Sequence, residues 1–357
     1  MAFFEPNQTQ TFQCTRHATS CNNIKMGKFL GLDSEPALSV YGIREARMLA
    51  LEEKRIGSNR FSAPPGIPIA VSALIRTWET TVLLYGFQLH AQAPNQGYTT
   101  LSLRICPWLR ETSEHGRWFD RGNEPKPLID SIPKFIKFLN KLIADHSQDY
   151  KINTIDIYIP LKNATNNSSN NASLGLREND WQLIQIHFDE STMTYKLPIN
   201  LCDINDTIHK VDVYQTEVGD IMKFMTWYTA VFPYNPLTVH IVAHSQIMQK
   251  FIKEHIDPKF KNNVTEQNCW SITINYHTKY NPDEKMEILG SIQNGFNKPK
   301  DEALNQAKQT EIDQREMSLC GEAGSLGEDK IICPKKKGGR RTRRKRSYRK
   351  KTRRYRR

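Results

Sequence analysis

Three short stretches hold the residue types from which a charged-group site could be built: Arg16-His17-Ala18-Thr19-Ser20 with Asn23, Ser72-Ala73-Leu74-Ile75-Arg76-Thr77, and Val242-Ala243-His244-Ser245. Two guanidinium groups offer planar, bidentate donors to an anion, and imidazole is a nucleophile near neutral pH. Each stretch follows a β-patterned run and precedes helical periodicity, so each reads as a strand end turning into a helix. In a parallel α/β sheet such ends meet at the carboxyl edge, where ligands bind. The set describes a pocket for a doubly negative group, a phosphoryl group above all, with an imidazole nitrogen aimed at it. A lone histidine after a strand is more often a capping or core residue, and a lone arginine a surface charge. It is their combination that points to chemistry.

The elements that must position these residues follow from periodicity. Phe12 and Cys14 alternate with Thr11, Gln13 and Thr15 in a strand running into Arg16. Ser39 is placed to cap a helix with Ile43, Ala46, Leu49 and Ala50 on one face, ending near Gly57. Residues 67–71 form an apolar strand, and Arg76 opens the next helix with Trp78, Val82 and Leu83. A strand is expected at 99–105, a helix capped by Ser131 with Ile132, Phe135, Ile136 and Leu139 inward, and a strand at 155–159. Residues 181–188 and 192–197 suit a hairpin, and Asp220 begins a helix. Residues 237–243 are the clearest core strand, with Ser245 capping the helix after it and His240 a satisfied core histidine, and 270–274 closes the sheet.

Arg16-His17-Ala18-Thr19-Ser20 followed by Asn23 resembles the signature of the histidine phosphatase superfamily, whose fold is phosphoglycerate-mutase-like. Residues 72–80 (SALIRTWET) resemble its second-arginine segment, Leu109-Arg110-Glu111 its acid segment, and residues 242–248 its second-histidine segment. Residues 38–46 resemble the helix start that follows the first motif. The resemblance implies a three-layer α/β sandwich with a mostly parallel central sheet and an inserted cap. It implies a metal-independent, cofactor-free phosphomonoesterase acting on a phosphorylated small molecule or phosphoprotein. His17 would become phosphorylated, Arg16, Arg76 and His244 would hold the phosphoryl oxygens together with Asn23, for which a plain turn is an equal alternative, and Glu111 would be the general acid, with Glu114 the alternative if the register shifts.

Departures from the family pattern carry information. Ala18 stands where the family has glycine, which requires a backbone angle open to L-residues. Residues 112–122 lack the pattern of phosphoglycerate mutases, which favours hydrolysis over mutase chemistry. The 133 positions from Glu111 to His244 exceed what a minimal member needs, so a cap is expected at about 112–215. Cys14, His17 and Cys21 have zinc-ligand chemistry, but no fourth ligand pair follows at a recognisable spacing.

Among 357 residues the net charge is +12, yet residues 335–357 contain 16 Lys or Arg and no acid. Without them 34 basic residues face 38 acidic ones, so the body is mildly acidic. The expected organisation is a catalytic domain at 1–280, a mostly irregular linker at 281–334 and a disordered basic tail at 335–357. The polar run 163–173 is a surface loop. The tail resembles those ending many proteins of large DNA viruses, and Arg340, Arg341, Arg343, Arg344, Lys345 and Arg346 suit nucleic acid or another polyanion. A rival reading is therefore an inactive phosphatase fold that binds nucleic acid, or is packaged in a virion, through its tail. No signal-peptide pattern and no run of about 18 apolar residues is present, which predicts a soluble intracellular protein, cytoplasmic, nuclear or virion-associated, with no membrane partner. Seven scattered cysteines suit a reducing compartment.

Overall fold

The computed structural model describes residues 9–21, 37–63, 66–92, 99–109, 128–160, 180–198, 219–232, 237–260 and 269–277. Along the chain these form β1 (Thr9–Arg16), α1 (Val40–Arg55), β2 (Ile69–Val71), α2 (Ile75–Thr81), a π-helical turn (Val82–Gly86), α3 (Phe87–Gln92) and β3 (Thr100–Ile105). There follow α4 (Leu128–Tyr150), β4 (Thr154–Pro160), β5 (Trp181–Asp189), β6 (Thr194–Tyr195), α5 (Ile221–Val231), β7 (Val239–Ala243), α6 (Ser245–His255) and β8 (Ser271–His277). The strands make one sheet in the order β6-β5-β4-β3-β2-β7-β1-β8. β1, β7, β2, β3 and β4 pair in parallel, whereas at the edges β5 pairs antiparallel with β4, β6 antiparallel with β5, and β8 antiparallel with β1.

Helices cover both faces, which gives the expected three-layer α/β sandwich with a mostly parallel sheet. On one face α1 to α4 bury Ala46, Leu49, Trp78, Leu83, Phe135 and Leu139 against Ile69, Val71, Leu103 and Ile157. On the other, α5 and α6 bury Phe224, Trp227, Ile247 and Phe251 against Phe12, Cys14, Ala70 and Ile241. The alternation of β1 is thus two-sided burial: Phe12 and Cys14 enter the second core, and Gln13 and Thr15 are buried on the opposite face.

Local signals explain the element starts. Ser39 caps α1, its Oγ accepting from Gly42 N at 3.0 Å, and Asp220 caps α5 by accepting from Lys223 N at 3.2 Å. Gly57 takes a φ of 69° just past α1, the left-handed conformation that glycine allows at a helix end.

Several expectations are corrected. Most described residues within 112–215 do not form a cap. β4 pairs in parallel with β3, β5 and β6 extend the sheet beyond it, and α4 packs on its face, Trp78 meeting Phe135 edge-on at 5.6 Å. Burial of Ile155, Ile157, Ile159, Ile184 and Ile186 draws these segments into the core. α4 begins at Leu128, so Ser131 lies inside it, since Leu128, Ile129 and Asp130 extend the helix upstream. His244, not Ser245, occupies the N-cap position of α6. Cys14, Cys106 and Cys269 are buried free thiols. No helix among the described residues is long and apolar enough to cross a membrane.

Candidate active site

The site lies at the carboxyl ends of β1, β7 and β2, three neighbouring strands of which β7 is the central one. β1 and β7 run in register from Phe12 opposite Val239 to Arg16 opposite Ala243. His17 N continues that ladder by donating to Ala243 O at 3.0 Å, while Arg16 N donates to Trp270 O at 2.9 Å. The strand end is thereby pinned from two sides. His244 follows directly on β7, and Arg76 sits in the first turn of α2 after β2.

The loop after His17 is held by three further ties. Ala18 N donates to Thr80 Oγ1 at 3.0 Å, and Thr80 Oγ1 in turn donates to Arg76 O at 2.7 Å, so one hydroxyl couples the loop to the helix carrying Arg76. Thr19 donates from N and Oγ1 to Glu45 Oε2 at 3.1 and 2.9 Å. Ser39 N donates to Thr19 O at 3.0 Å. The start of α1 presses so closely on this loop that a Cβ on Gly42 would lie 2.0 Å from Thr19 O. Ala18 needs no glycine conformation: outside glycine, positive φ occurs only at Met193 and Cys269 among the described residues.

Arg16, His17, Arg76 and His244 are all buried, and the two imidazole rings stand 5.1 Å apart. Arg76 bridges them. Its Nε donates to His17 Nε2 at 3.2 Å and its Nη2 to His244 Nδ1 at 3.3 Å. Guanidinium only donates, so both of those ring nitrogens present lone pairs. On the far sides, His17 Nδ1 donates to the Ala18 carbonyl at 2.6 Å, and His244 Nε2 lies 2.7 Å from Ser72 Oγ. His17 is therefore the Nδ1–H tautomer with a bare Nε2, the form a nucleophile needs.

Electrostatics agree with this protonation. Burial first, then the charges of Arg76 and Arg16, hold His17 well below the ordinary imidazole range, against an upward pull from its bond to Ala18 O. His244 is lowered in the same way, by burial, Arg76, His17 and Arg16 in that order. Both rings are neutral at pH 7, and the positive charge facing them resides on two guanidiniums. Such an arrangement attracts a dianion and leaves an uncharged nitrogen to attack it.

Of the residues expected in the site, Arg16, His17, Arg76 and His244 are brought together. Asn23, Glu111, Glu114 and the tail residues Arg340, Arg341, Arg343, Arg344, Lys345 and Arg346 lie outside the described residues. Sequence reasoning gave no role to Ser72 and Thr77, which stand behind His244, or to Thr80 and Glu45, which hold the loop after His17. Their only signal was nearness to a motif. His240 is buried as expected and meets Tyr85 edge-on at 5.0 Å, but its Nδ1 has no hydrogen-bond partner.

No protein-family model matches the chain, and no curated protein matches it. Among solved structures it is similar to an Escherichia coli K-12 protein assigned as an alpha-ribazole-5'-P phosphatase, with 11% identity and a TM-score of 0.33 over 81% of this chain and 100% of the other. It is similar to a phosphoglycerate mutase from Bacillus anthracis at 13% identity and a TM-score of 0.34, over 89% and 98%. A mycobacterial glucosyl-3-phosphoglycerate phosphatase gives 12% and 0.35, over 81% and 100%.

Proposed function

We propose that this chain is a phosphomonoesterase of the histidine phosphatase type, working through a phosphohistidine on His17. One observation carries the reading: the bare Nε2 of buried, neutral His17 lies 3.2 Å from Arg76 Nε, where an arriving phosphoryl group would replace it as the guanidinium's acceptor. Nε2 attacks phosphorus, the bond to the leaving oxygen breaks, and that oxygen takes a proton from an acid, for which Glu111 is our candidate and Glu114 the alternative. Water then attacks the phosphohistidine and gives its proton to the same carboxylate, which restores neutral His17 and releases inorganic phosphate. Throughout, the Ala18 carbonyl accepts from Nδ1 and so supports the positive ring of the intermediate. Arg16 and Arg76 stabilise the charge spread over the non-bridging oxygens. The nucleophile is a ring nitrogen, so the mechanism calls for no metal-bound hydroxide.

The rival reading, an inactive fold serving the tail, has less support, because a binding platform has no need for two histidines in opposite tautomers around one arginine. The test is a panel of sugar phosphates, nucleotides and phosphopeptides assayed in EDTA, with rapid quench. Wild type is expected to turn over at least one class and to trap an acid-labile, base-stable phosphoenzyme, and His17→Ala to do neither while keeping its circular dichroism and melting profile. Undiminished turnover by His17→Ala would overturn the proposal.

A further inference from the structure

His244 is hydrogen-bonded at both ring nitrogens. Arg76 Nη2, 3.3 Å from Nδ1, can only donate. On the opposite side Nε2 meets Ser72 Oγ at 2.7 Å, a hydroxyl that can donate or accept. Arg76 sets that direction: with Nδ1 accepting, the neutral ring carries its proton on Nε2, and Ser72 Oγ accepts it, which leaves the hydroxyl's own proton to pass onward. Thr77 Oγ1 donates to the carbonyls of Leu74 at 2.8 Å and Ser72 at 3.2 Å, which only accept, so its single proton is committed there. Ser72 Oγ already accepts from Leu74 N at 3.1 Å, and the Thr77 oxygen 3.4 Å away is the neighbour open to its proton. The run is therefore polarised from His244 Nε2–H to Ser72 Oγ–H to Thr77 Oγ1–H to backbone carbonyl. His244, Ser72 and Thr77 are each fully buried, so solvent does not compete for these bonds.

We propose that Ser72 and Thr77 are positioning residues, a polarised hydroxyl relay that fixes His244 as the Nε2–H tautomer and confines its proton exchange to Nδ1, the nitrogen facing Arg76. When a phosphoryl dianion enters and Arg76 turns its donors to the anion's oxygens, Nδ1 loses its donor and faces negative charge. One proton from solvent adds there. The resulting imidazolium donates from Nδ1 to the anion and from Nε2 to Ser72, so both N–H groups are satisfied. The tautomer follows from geometry alone; the proton uptake rests on the phosphoryl reading of the pocket given above.

The test is ¹⁵N-histidine NMR of the full chain, free and with inorganic phosphate, on wild type, Ser72→Ala, Thr77→Val and Thr77→Ser. In the free wild type, His244 should give the neutral Nε2–H pattern near pH 7, and phosphate should convert it to the imidazolium pattern. Ser72→Ala and Thr77→Val should broaden or mix the tautomers and lower kcat about 10- to 100-fold with a smaller change in KM, whereas Thr77→Ser keeps the relay and stays within about threefold of wild type. A merely structural role would leave the tautomer pattern unmoved. An Nδ1–H pattern or an imidazolium in the free protein overturns the relay, as does a wild-type pattern in Ser72→Ala. The expected free-state pattern in a protein that hydrolyses no phosphomonoester upholds the relay and fails the functional reading. An Nε2–H pattern that phosphate leaves unchanged overturns the proton uptake.

Discussion

Replacing Arg76 with methionine keeps most of the buried volume and removes the fork and its charge. In the free protein the fork meets two ring nitrogens at 3.2 and 3.3 Å. On a bound phosphoryl group the same donors would make two charge-assisted bonds, each worth about 1.5–3 kcal/mol. Their loss from the transition state predicts a fall in kcat/KM of roughly 10²- to 10⁴-fold. A second readout comes from proton linkage. His17 and His244 are held below the ordinary range of 6.5 in the folded protein, by burial and then by Arg76. The unfolded chain therefore binds more protons just below that value, so wild-type stability is full above it and declines as pH falls through it. Without Arg76 both rings protonate more readily in the folded state, and Arg76→Met should lose less of its stability between about pH 7 and pH 5. The assays are steady-state kinetics on the best phosphomonoester and melting temperature against pH for both proteins. Parallel pH curves would show that Arg76 is not the field acting on the histidines. A loss in kcat/KM under tenfold would show that it does not hold the phosphoryl group.

Two further outcomes are expected. Gly42→Ala puts a methyl 2.0 Å from a backbone oxygen that cannot swing away, so it should cost about 1–3 kcal/mol or more and lower Tm by several degrees, with kcat falling as the Thr19 loop shifts; an unchanged thermal melt would refute the close packing. Deleting 335–357 should remove salt-sensitive, sequence-indifferent binding to RNA and DNA while kcat on a small phosphomonoester stays within about twofold. Filter binding at roughly 50 and 200 mM salt tests this, and an unaltered salt slope after deletion would move the polyanion site elsewhere.

The parts of the site legible in the sequence were those in which one residue type has few uses. Arginine and histidine at the ends of apolar strands stand out because burying them is costly without a purpose, and Arg16, His17, Arg76 and His244 did meet. Ser39 and Asp220 announced their helices because a capping oxygen and a following apolar face are both local. What stayed hidden depends on partners far along the chain. Nothing near Glu45 indicates that it receives Thr19, and nothing near Thr80 indicates that it receives Ala18. The sheet extension through β4, β5 and β6 was not legible because the cap at about 112–215 was inferred from the length of the interval between Glu111 and His244, and length does not say which strands its segments pair with. The π-helical turn at Val82–Gly86 left no trace in an ordinary apolar run.

The position of β1 bears on when the protein becomes competent. Its sheet partners are β7 and β8, so Phe12 waits for Val239, and Cys14 for Ile272, before it has a neighbour on either side. At a synthesis rate of roughly 5–20 residues per second, the strand carrying Arg16 and His17 spends about ten to forty-five seconds outside the sheet. Meanwhile β2, β3 and β4 are parallel neighbours in sequence order and can assemble among themselves. The gap they leave is closed by β7, which brings His244 and receives β1 in the same event. Arg16, His17, Arg76 and His244 thus come together only at a late step of folding, and a chain halted anywhere between residues 76 and 239 would carry both arginines and His17 without the strand that joins them.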